Sequence, residues 1–375
     1  MSKIKIEKIM LQNFKCHKKF DGNLKNLNIL TGSNAAGKSS FIQAILLAIK
    51  SWEEHDKKQI NTNEIYGLNL GIPANILSED FEGKEIVIKM VLDGEEYGIT
   101  LGLPEEDEKE MYFQIINAEE IAVQFAGVCS MKKLQVFFLS AERKGPRIIS
   151  AIKKIIPYSV GSIGENTGYL IDEMDKRQKL NSNFCLPADL KISSIERFSA
   201  NCEEWLNVII PGTGIQYSID IEKNFTSLRF CNQGEFYLPV ATGFGITYVL
   251  PIIVQALAAS VIGNSVLMIE NPEAHLHPLS QSRLGKFLAL VSANGVQVIV
   301  ETHSEHIIDG CRIQAASENQ CENIRIMFFE KREMDSICKT IIVAKDGELE
   351  EWPVGFFDQK RQDLRELLEM RRCGN

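Results

Sequence analysis

The sequence lacks several patterns that mark particular classes of protein. Its nine cysteines contain no Cys-x-x-Cys pair and are odd in number, which argues against a disulfide framework and a cysteine-bound zinc site. The amino terminus, MSKIKIEKIM, has no uninterrupted apolar core of the signal-peptide kind. No heptad repeat runs along the chain, so no long coiled-coil arm is expected. These absences favour a cytoplasmic globular protein with free thiols.

Basic residues are outnumbered by acidic ones, and the sequence has no uninterrupted membrane-spanning segment. The chain carries 41 basic and 50 acidic residues, a net charge of −9, which argues against a surface that binds DNA over its whole extent but leaves local basic patches open. The longest apolar segment runs from Ile246 to Gly263 and is interrupted by Thr247, Pro251 and Gln255. A membrane span requires roughly 20 apolar residues. We therefore expect a buried core helix here and no contact with a membrane.

Hydrophobic periodicity predicts an α/β fold. An alternating segment from Ile4 onward and the segment NLNILTG are typical of strands, and KSSFIQAILLAIKSW repeats apolar residues at helical spacing. EIVIKMVL, EEYGITLGL and MYFQIINA, separated by turns such as Asp93-Gly94, predict an antiparallel layer. From Phe236 onward, predicted helices alternate with the strands SVLMIE, VQVIVET and NIRIMFFE.

The pattern changes in the middle of the chain. There, helical segments, RIISAIKKII and SSIERFSANCEEWLNVII, are combined with weak strands, IQYSIDI and FTSLRF. We interpret residues 148–235 as an inserted helical or mixed subdomain between an N-terminal lobe, residues 1–147, and a C-terminal lobe, residues 236–375. The segment QDLRELLEM predicts a terminal helix whose apolar face packs on its own lobe or, alternatively, meets a partner.

A phosphate-binding motif lies where a predicted strand meets a predicted helix. GSNAAGKSS matches the pattern G-x-x-x-x-G-K-[ST], and its place between strand and helix is the context that supports the match. Its glycines let backbone N–H groups turn towards phosphates, and the helix N-terminus adds a positive dipole. The candidate nucleotide-binding residues of this loop are Gly32, Ser33, Asn34, Ala35, Ala36, Gly37, Lys38, Ser39 and Ser40. The Lys38 ammonium is expected at the β- and γ-phosphates of ATP, and the Ser39 hydroxyl at Mg²⁺.

The metal side of such a site requires an acid at the end of a neighbouring strand. The stretch VLMIENPEAHLHP supplies one at Glu270, after four apolar residues and before Pro272. Ser39 and Glu270 are therefore the predicted metal ligands. The alternative is that Glu270 only ends a strand.

The order of these motifs resembles the ATPase heads of the ABC and SMC class. Lys38 and Glu270 are separated by most of the chain, and VIVETHSEH then brings His303 to a strand end. With LQNFKCHKKF, PEAHLHP and THS, the chain resembles in particular the short SMC-like, RecF-like and OLD-like heads of the AAA-15 and AAA-21 kind. ENPEAHLHP and WPVGFFDQ are similar to motifs of a narrower subgroup. The resemblance implies a mixed central sheet, an antiparallel β layer, a helical insert, and ATP and Mg²⁺ as ligands.

The resemblance also implies roles for residues outside the phosphate loop. Lys15, in the NFK segment, is expected to contact nucleotide, and the alternative is an ordinary surface lysine. His303 matches the switch histidine that senses the γ-phosphate. The D-loop, which lies at a dimer interface in relatives, corresponds to Glu273, Ala274 and His275.

A degenerate turn stands where the ABC signature is expected. ATGFG precedes an apolar helix but keeps no Ser-Gly-Gly-Gln. By the resemblance, its Thr242, Gly243 and Gly245 would act in trans, offering backbone N–H groups to the γ-phosphate held by a partner subunit.

The acids near Glu270 leave open how well such a site hydrolyses ATP. Asn271 stands where relatives have the glutamate that activates water, and an amide cannot take a proton. Two other acids, Glu273 and Glu301, are close, and Glu301 reaches the phosphates if its strand lies beside that of Glu270. We expect ATP binding and slow hydrolysis, with Glu270, Asn271, Glu301 and His303 as catalytic candidates.

The partners follow from the same resemblance. A homodimer or higher assembly is expected through the ATP interface. The chain after FFEKREMD is too short for a nuclease domain of about 100 residues, so nuclease chemistry is expected from a partner effector. The basic run ERKGPRIISAIKK, with Arg143, Lys144 and Arg147, either contacts DNA or is a solvated face, and Arg143 is expected near the nucleotide.

Three functions therefore stay open. The first is an SMC-like ATPase whose ATP-gated dimer controls a partner effector or nuclease in prokaryotic anti-phage defence, an assignment that rests on family analogy. The second is a repair or recombination ATPase that binds DNA itself. The third is a non-hydrolysing, nucleotide-dependent assembly scaffold.

Overall fold

The computed structural model describes residues 4–79, 81–104, 110–127, 130–153, 156–181, 184–232, 234–241, 243–333 and 335–373. Its strands, in chain order, are β1 (Ile6–Phe14), β2 (His17–Asn23), β3 (Leu27–Gly32), β4 (Gln59–Asn61), β5 (Glu85–Leu92), β6 (Glu95–Gly102), β7 (Tyr112–Ile115), β8 (Gln135–Leu139), β9 (Ile149–Ala151), β10 (Thr213–Asp220), β11 (Phe225–Asn232), β12 (Glu235–Tyr237), β13 (Ser265–Glu270), β14 (Gln297–Glu301), β15 (Ile324–Arg332) and β16 (Asp335–Ile341). Its α-helices are α1 (Lys38–Glu53), α2 (Ala118–Ala126), α3 (Thr167–Leu180), α4 (Phe198–Ile209), α5 (Phe244–Ile262), α6 (Pro278–Ala293), α7 (Glu305–Ser317) and α8 (Gln359–Cys373).

A six-stranded, mostly parallel sheet forms the centre of the fold, in the order β16-β15-β3-β14-β13-β8. The strand before the phosphate loop, β3, pairs in parallel with β14 and β15, whereas β16 runs antiparallel to β15. Every residue of β13 and β14 is buried, as expected for parallel strands that are covered on both faces. As a result, β14 separates the strand of the phosphate loop from the strand that ends at Glu270.

The central sheet divides two hydrophobic clusters. Successive side chains of β13 point to opposite faces, so Leu267 and Ile269 join one cluster with α5 and α6, whereas Val266 and Met268 join the other with α1. A second sheet, antiparallel in the order β2-β1-β5-β6-β7-β4, covers the other side of α1. This confirms the predicted antiparallel layer and explains why α1 buries residues around most of its circumference.

The middle of the chain is mixed. A four-stranded antiparallel sheet, in which β11 pairs with β9, β10 and β12, packs with α3 and α4. The helix predicted over RIISAIKKII is wrong, because the segment contains β9, whose Ile149 pairs with Ser227 of β11. The β-branched pair Ile148-Ile149 suits a strand, and the pairing edge of β11 outweighs the helical spacing. α4, β10 and β11 fall where the sequence predicts them.

The long apolar segment forms α5. Among the described residues it is the helix that is long and apolar enough to span a membrane, and 67% of its most apolar window is buried inside the protein. Residues 249–259 are buried, and the helix packs on α3, α4 and β13. This is the environment of a core helix.

The terminal helix α8 is present, but its apolar face does not pack on the rest of the protein. Leu364, Leu367 and Leu368 are 52%, 61% and 58% exposed. The prediction that this face packs on its own lobe is therefore wrong for the three leucines, whereas Phe357, in the segment that leads into the helix, packs against the core. Helical spacing places these leucines on one side, but it does not specify what covers that side.

Two glycines allow α6 and α7 to cross closely. A Cβ at Gly285 would lie 2.2 Å from the carbonyl oxygen of Ile307, and a Cβ at Gly310 would lie 2.1 Å from that of Ser282. Both glycines are within helices, where alanine would otherwise improve helix propensity by about 1 kcal/mol.

We predict that Gly285→Ala and Gly310→Ala each lower the free energy of unfolding by about 1–3 kcal/mol, because the two backbones must move apart. Urea denaturation measures the change. The exposed Ile313 of α7 provides the control, since Ile313→Ala should change stability by less than about 0.5 kcal/mol. Glycine variants as stable as the wild type would contradict the close crossing.

Candidate nucleotide site

The phosphate loop needs its glycines because of its backbone geometry. Gly32 has φ +132° and Gly37 has φ +105°, a range that side chains rarely adopt. A Cβ at Gly32 would also lie 2.0 Å from the carbonyl oxygen of Phe329 in the neighbouring strand. Ala35 takes φ +58° and continues the curl. Alternation of this kind directs backbone N–H groups towards one point, which is the geometry of an anion nest.

Lys38 occupies this concave loop. Its Nζ donates hydrogen bonds to the carbonyl oxygens of Gly32, at 3.1 Å, and Ser33, at 2.7 Å. Burial lowers the pKa of the Lys38 ammonium, and the negative charges of Glu301 and Glu273 oppose that shift. The loop thus holds a cation whose hydrogen bonds are free to transfer to phosphate oxygens.

Two clefts open at the phosphate loop. One, of about 370 Å³, is lined by residues 34–40 together with Lys15, Cys16, Glu301 and His303. The other, of about 470 Å³, lies beside Gly32 and Ser33 and is bordered by Gly355 of the WPVGFFDQ segment. Lys15 donates a hydrogen bond from Nζ to Gln43 Oε1 of α1 at 2.6 Å, at the rim of the first cleft.

Glu301 is the carboxylate in direct contact with the loop. Ser39 donates a hydrogen bond from Oγ to Glu301 Oε1 at 3.0 Å. The other carboxylate oxygen, Oε2, is buried without a partner. Burial, reinforced by the negative charge of Glu270, raises the pKa of Glu301 to about 7. The side chain is therefore poised between its two protonation states near neutral pH.

Glu270 lies directly beside Glu301, because the two residues are register partners in β13 and β14. Its Oε2 accepts a hydrogen bond from the Ala141 N–H at 3.0 Å, and burial raises its pKa. Asn271 follows with φ +44°, donates its N–H to the Glu301 carbonyl, and keeps a buried Oδ1 without a partner. The amide of Asn271 thus lies next to Glu270 and Glu301 but cannot itself act as an acid or a base.

Glu273 joins the turn after β13 to the residues that follow β14. Its Oε2 accepts a hydrogen bond from Thr302 Oγ1, and its Oε1 accepts one from the His303 N–H, each at 2.7 Å. Both oxygens are therefore occupied. His303 is exposed on the cleft, and partial burial together with the Lys38 charge lowers the pKa of its imidazole.

Of the signature-like turn, the described residues Gly243 and Gly245 do not line the phosphate cleft. Gly243 is exposed at the start of α5, and the backbone of Gly245 lies against the D-loop, where an added Cβ would come within 2.7 Å of the His275 carbonyl oxygen. The His275 ring packs on Phe244 and Tyr248. Thr242 lies outside the described residues. Ala274 belongs to the same turn as His275, and its N–H donates to the Asn271 carbonyl oxygen.

Arg143 is buried behind the turn that follows β13, a position that the sequence does not predict. The sequence predicts it near the nucleotide, but its guanidinium is 3% exposed and donates hydrogen bonds to the carbonyl oxygens of Ser140, Glu270 and Asn271. Burial lowers its pKa to about 10. It therefore holds the turn after β13 from beneath and is absent from the cleft lining.

A larger cavity, of about 640 Å³, lies along the far half of α1, between Ile49 and Glu53 on one side and Met131 and Glu165 on the other. It contains none of the phosphate-loop residues, and volume alone does not make it the reactive site. Its walls combine lysines, acids and apolar side chains.

The family of the chain follows from a comparison with known families. A model described as an AAA ATPase domain matches residues 4–156 and 130–308, which together span the phosphate loop, Glu270 and His303. The chain belongs to the AAA ATPase domain family. It is thus an ATP-binding P-loop ATPase, and members of this class usually bind ATP together with Mg²⁺. A second model, described as a protein of unknown function (DUF3696), matches residues 321–367 of this ATPase.

Solved Smc head domains share the fold of this ATPase. One from Pyrococcus furiosus, with an extended coiled coil and bound to the C-terminal domain of ScpA, matches 98% of this chain and 100% of its own at 13% identity and a TM-score of 0.57. An SmcHead bound to the C-winged helix domain of ScpA matches 90% and 98% at 16% identity and 0.56. One from Pyrococcus yayanosii matches 92% and 98% at 10% identity and 0.55. No curated protein matches the chain.

These likenesses establish an α/β head of the Smc type. Within the described residues the longest helix, α5, has 19 residues, so the long coiled coil of the Smc relatives has no counterpart there. The expectation of a head without a coiled-coil arm is confirmed.

The pKa of Glu301 makes the stability of the nucleotide-free ATPase depend on pH. Its folded-state pKa of about 7 lies above the ordinary value of 4.5, so the folded state binds the proton more tightly than the unfolded state. Ionised Glu301 therefore lowers stability increasingly from about pH 4.5 to 7, and fully above pH 7.

We predict that Glu301→Gln raises the free energy of unfolding by about 2 kcal/mol at pH 8, and that the gain nearly vanishes at pH 5. Urea denaturation in EDTA at both pH values measures this, and Glu322→Gln provides an exposed control. If Glu301→Gln changed the free energy of unfolding by the same amount at both pH values, the idea that ionised Glu301 destabilises the fold would be wrong.

Proposed function

We propose that this ATPase slowly hydrolyses ATP in a dimer assembled around the nucleotide, and that the dimer regulates a partner effector or nuclease in anti-phage defence. The observation that carries the hydrolytic part is Glu301: it contacts Ser39, lines the cleft and has an oxygen without a partner. A base with a pKa near the working pH is the most effective in proton transfer.

The other two acids are less suited to take a proton from water. Glu273 accepts a hydrogen bond at each oxygen, and neither Glu270 nor Glu273 is among the residues that line the phosphate cleft. We therefore infer that Glu301 supplies the carboxylate that Asn271 lacks. Asn271 and His303 then orient water and the γ-phosphate, and Lys38 stabilises the charge that develops on the phosphate oxygens.

The residues at the cleft also suit Mg²⁺. The Ser39 hydroxyl and the Glu270 carboxylate are hard oxygen ligands and would hold the cation, which leaves the unpartnered Oε2 of Glu301 for the attacking water. Bound Mg²⁺ neutralises charge on the β- and γ-phosphates.

Dimerisation is supported by what surrounds the signature-like turn. Gly243 and Phe244 are exposed, 53% for Phe244, and neither lines the chain's own phosphate cleft. A γ-phosphate ligand from this turn would have to come from a second subunit. The Smc heads of similar fold are seen bound to ScpA domains, which supports a protein partner for a head of this type.

Direct DNA binding is the second candidate function. Burial lowers the pKa of Lys144; the nearby positive charges of Arg147 and Lys153 lower it further, and the charge of Glu165 opposes the shift. Such a cluster on a chain of net charge −9 suits phosphate contacts. Three results would favour this candidate over a protein effector alone. DNA binding should weaken with salt, should require ATP, and should be lost in Arg147→Ala.

We predict that ATP doubles the 42.2 kDa mass of the wild type in light scattering and that phosphate is released slowly. Lys38→Ala should weaken ATP binding about 100-fold, through loss of charged hydrogen bonds, and remain monomeric. Lys50→Ala is the matched control, because Lys50 lies on the same helix and pairs with Glu54.

Three outcomes would count against the proposal. Tight ATP binding by Lys38→Ala would overturn the site itself. A wild type that binds ATP but releases no phosphate would reduce it to a nucleotide-dependent scaffold. Binding and turnover without a change of mass would remove the dimer.

A further inference from the structure

Three side chains from two distant parts of the chain lie against Gly37. A Cβ added to this glycine would lie 2.7 Å from Ser336 Oγ, 2.8 Å from Cys16 Sγ and 2.8 Å from His17 Cε1. His17 belongs to β2 and Ser336 to β16, so two separate hairpins meet on the convex face of the phosphate loop. The two hairpins are joined there by the Ser336 N–H, which donates to the Cys16 carbonyl oxygen at 2.8 Å.

Two of these side chains bond to successive carbonyl groups of the loop. Ser336 Oγ donates a hydrogen bond to the Ala36 carbonyl oxygen at 2.5 Å, and His17 Nε2 lies 2.9 Å from the Gly37 carbonyl oxygen. Because a carbonyl oxygen can only accept, the imidazole must carry its hydrogen on Nε2.

We propose that His17 and Ser336 are positioning residues for phosphate binding, which fix two successive peptide planes of the loop from its convex side. The proposal rests on the phosphate-binding role of the loop. It goes beyond that role by assigning the loop's shape to two residues outside its motif.

The physical reason is the planarity of the peptide bond. In a trans peptide the C=O and the following N–H point in opposite directions. Holding the Ala36 carbonyl outward therefore turns the Gly37 N–H inward. The Gly37 carbonyl also accepts the first hydrogen bond of α1, from the Phe41 N–H at 2.9 Å, and the bond from His17 reinforces this orientation, which turns the Lys38 N–H inward. These are N–H groups of the kind that cradle the phosphates in such a loop.

The environment of His17 argues for a hydrogen-bonding role rather than packing alone. The residue is fully buried among Phe20 and Phe329, and its Nδ1 has no partner. A buried, unsatisfied nitrogen costs stability that an apolar side chain of similar size would not. The bond from Nε2 to the loop is the feature that an apolar replacement would lose. Burial also lowers the pKa of His17, so the imidazole stays neutral.

The test compares His17→Leu, His17→Gln and Ser336→Ala in the full chain. Leucine keeps the bulk among the two phenylalanines but donates nothing, whereas the glutamine amide can donate from a position near that of Nε2. Ser51→Ala is the matched control, because the Ser51 hydroxyl is equally buried and donates to the Leu47 carbonyl oxygen within α1, away from the loop. Affinity for Mg·ADP and Mg·ATP is measured by calorimetry, and stability of the nucleotide-free protein by urea denaturation.

We expect His17→Leu and Ser336→Ala each to bind ADP and ATP about three- to tenfold more weakly, by the same factor for both nucleotides. His17→Gln should recover most of the loss, and Ser51→Ala should bind as the wild type does. In turnover, KM should rise while kcat is kept, because the bonds act equally in the ground and transition states.

Wild-type affinity in both His17→Leu and Ser336→Ala would overturn the proposal, and so would a loss no larger than that of Ser51→Ala. If His17→Leu does not fold, Ser336→Ala decides the matter: wild-type affinity in this variant, or a loss no larger than that of Ser51→Ala, would overturn the proposal. A wild type that fails to bind nucleotide would instead refute the phosphate site, so the two failures are distinct.

Discussion

The parallel pairing of β14 between β3 and β13 is the constraint on which the site depends. It sets Glu301 opposite Leu30 on one side and opposite Glu270 on the other, so two acids end side by side at the edge where the phosphate loop begins. A slip of one residue would turn Glu301 to the other face of the sheet. The hydrogen bond from Ser39 to Glu301 then joins the strand ends to the first turn of α1.

This arrangement concentrates opposing charges in a poorly solvated place. The Lys38 ammonium faces Glu301 and Glu273, while the Arg143 guanidinium supports the Glu270 turn from the buried side. Paired charges of this kind carry a desolvation cost that is offset only when their hydrogen bonds are satisfied. Three atoms of this cluster are buried without a partner: Glu301 Oε2, Asn271 Oδ1 and Arg143 Nε. The two oxygens are therefore the acceptors that remain open at the end of β13 and β14.

Much of this site is predictable from the sequence, because its parts are local motifs. Nine consecutive residues are enough to predict the phosphate loop. Four apolar residues, followed by an acid and then a proline, predict a strand that ends in Glu270. The neighbourhood of Glu301 follows from the expected strand order. His17 and Ser336 are not predictable, since the bond from Ser336 to the loop joins residues 300 positions apart. The insert is harder still: Ile148-Ile149 fits a helix or a strand until the partner β11 is known.

The measurement that tests the central claim most directly is single-turnover hydrolysis of ATP by three variants, Glu301→Gln, Glu270→Gln and Glu273→Gln, at saturating ATP with binding measured in parallel. If Glu301 is the acid that replaces the one missing at Asn271, Glu301→Gln should bind ATP and lose turnover by about 100-fold or more, the usual contribution of a general base, and by more than either other variant. Wild-type turnover in Glu301→Gln, with loss in Glu270→Gln or Glu273→Gln instead, would contradict the account.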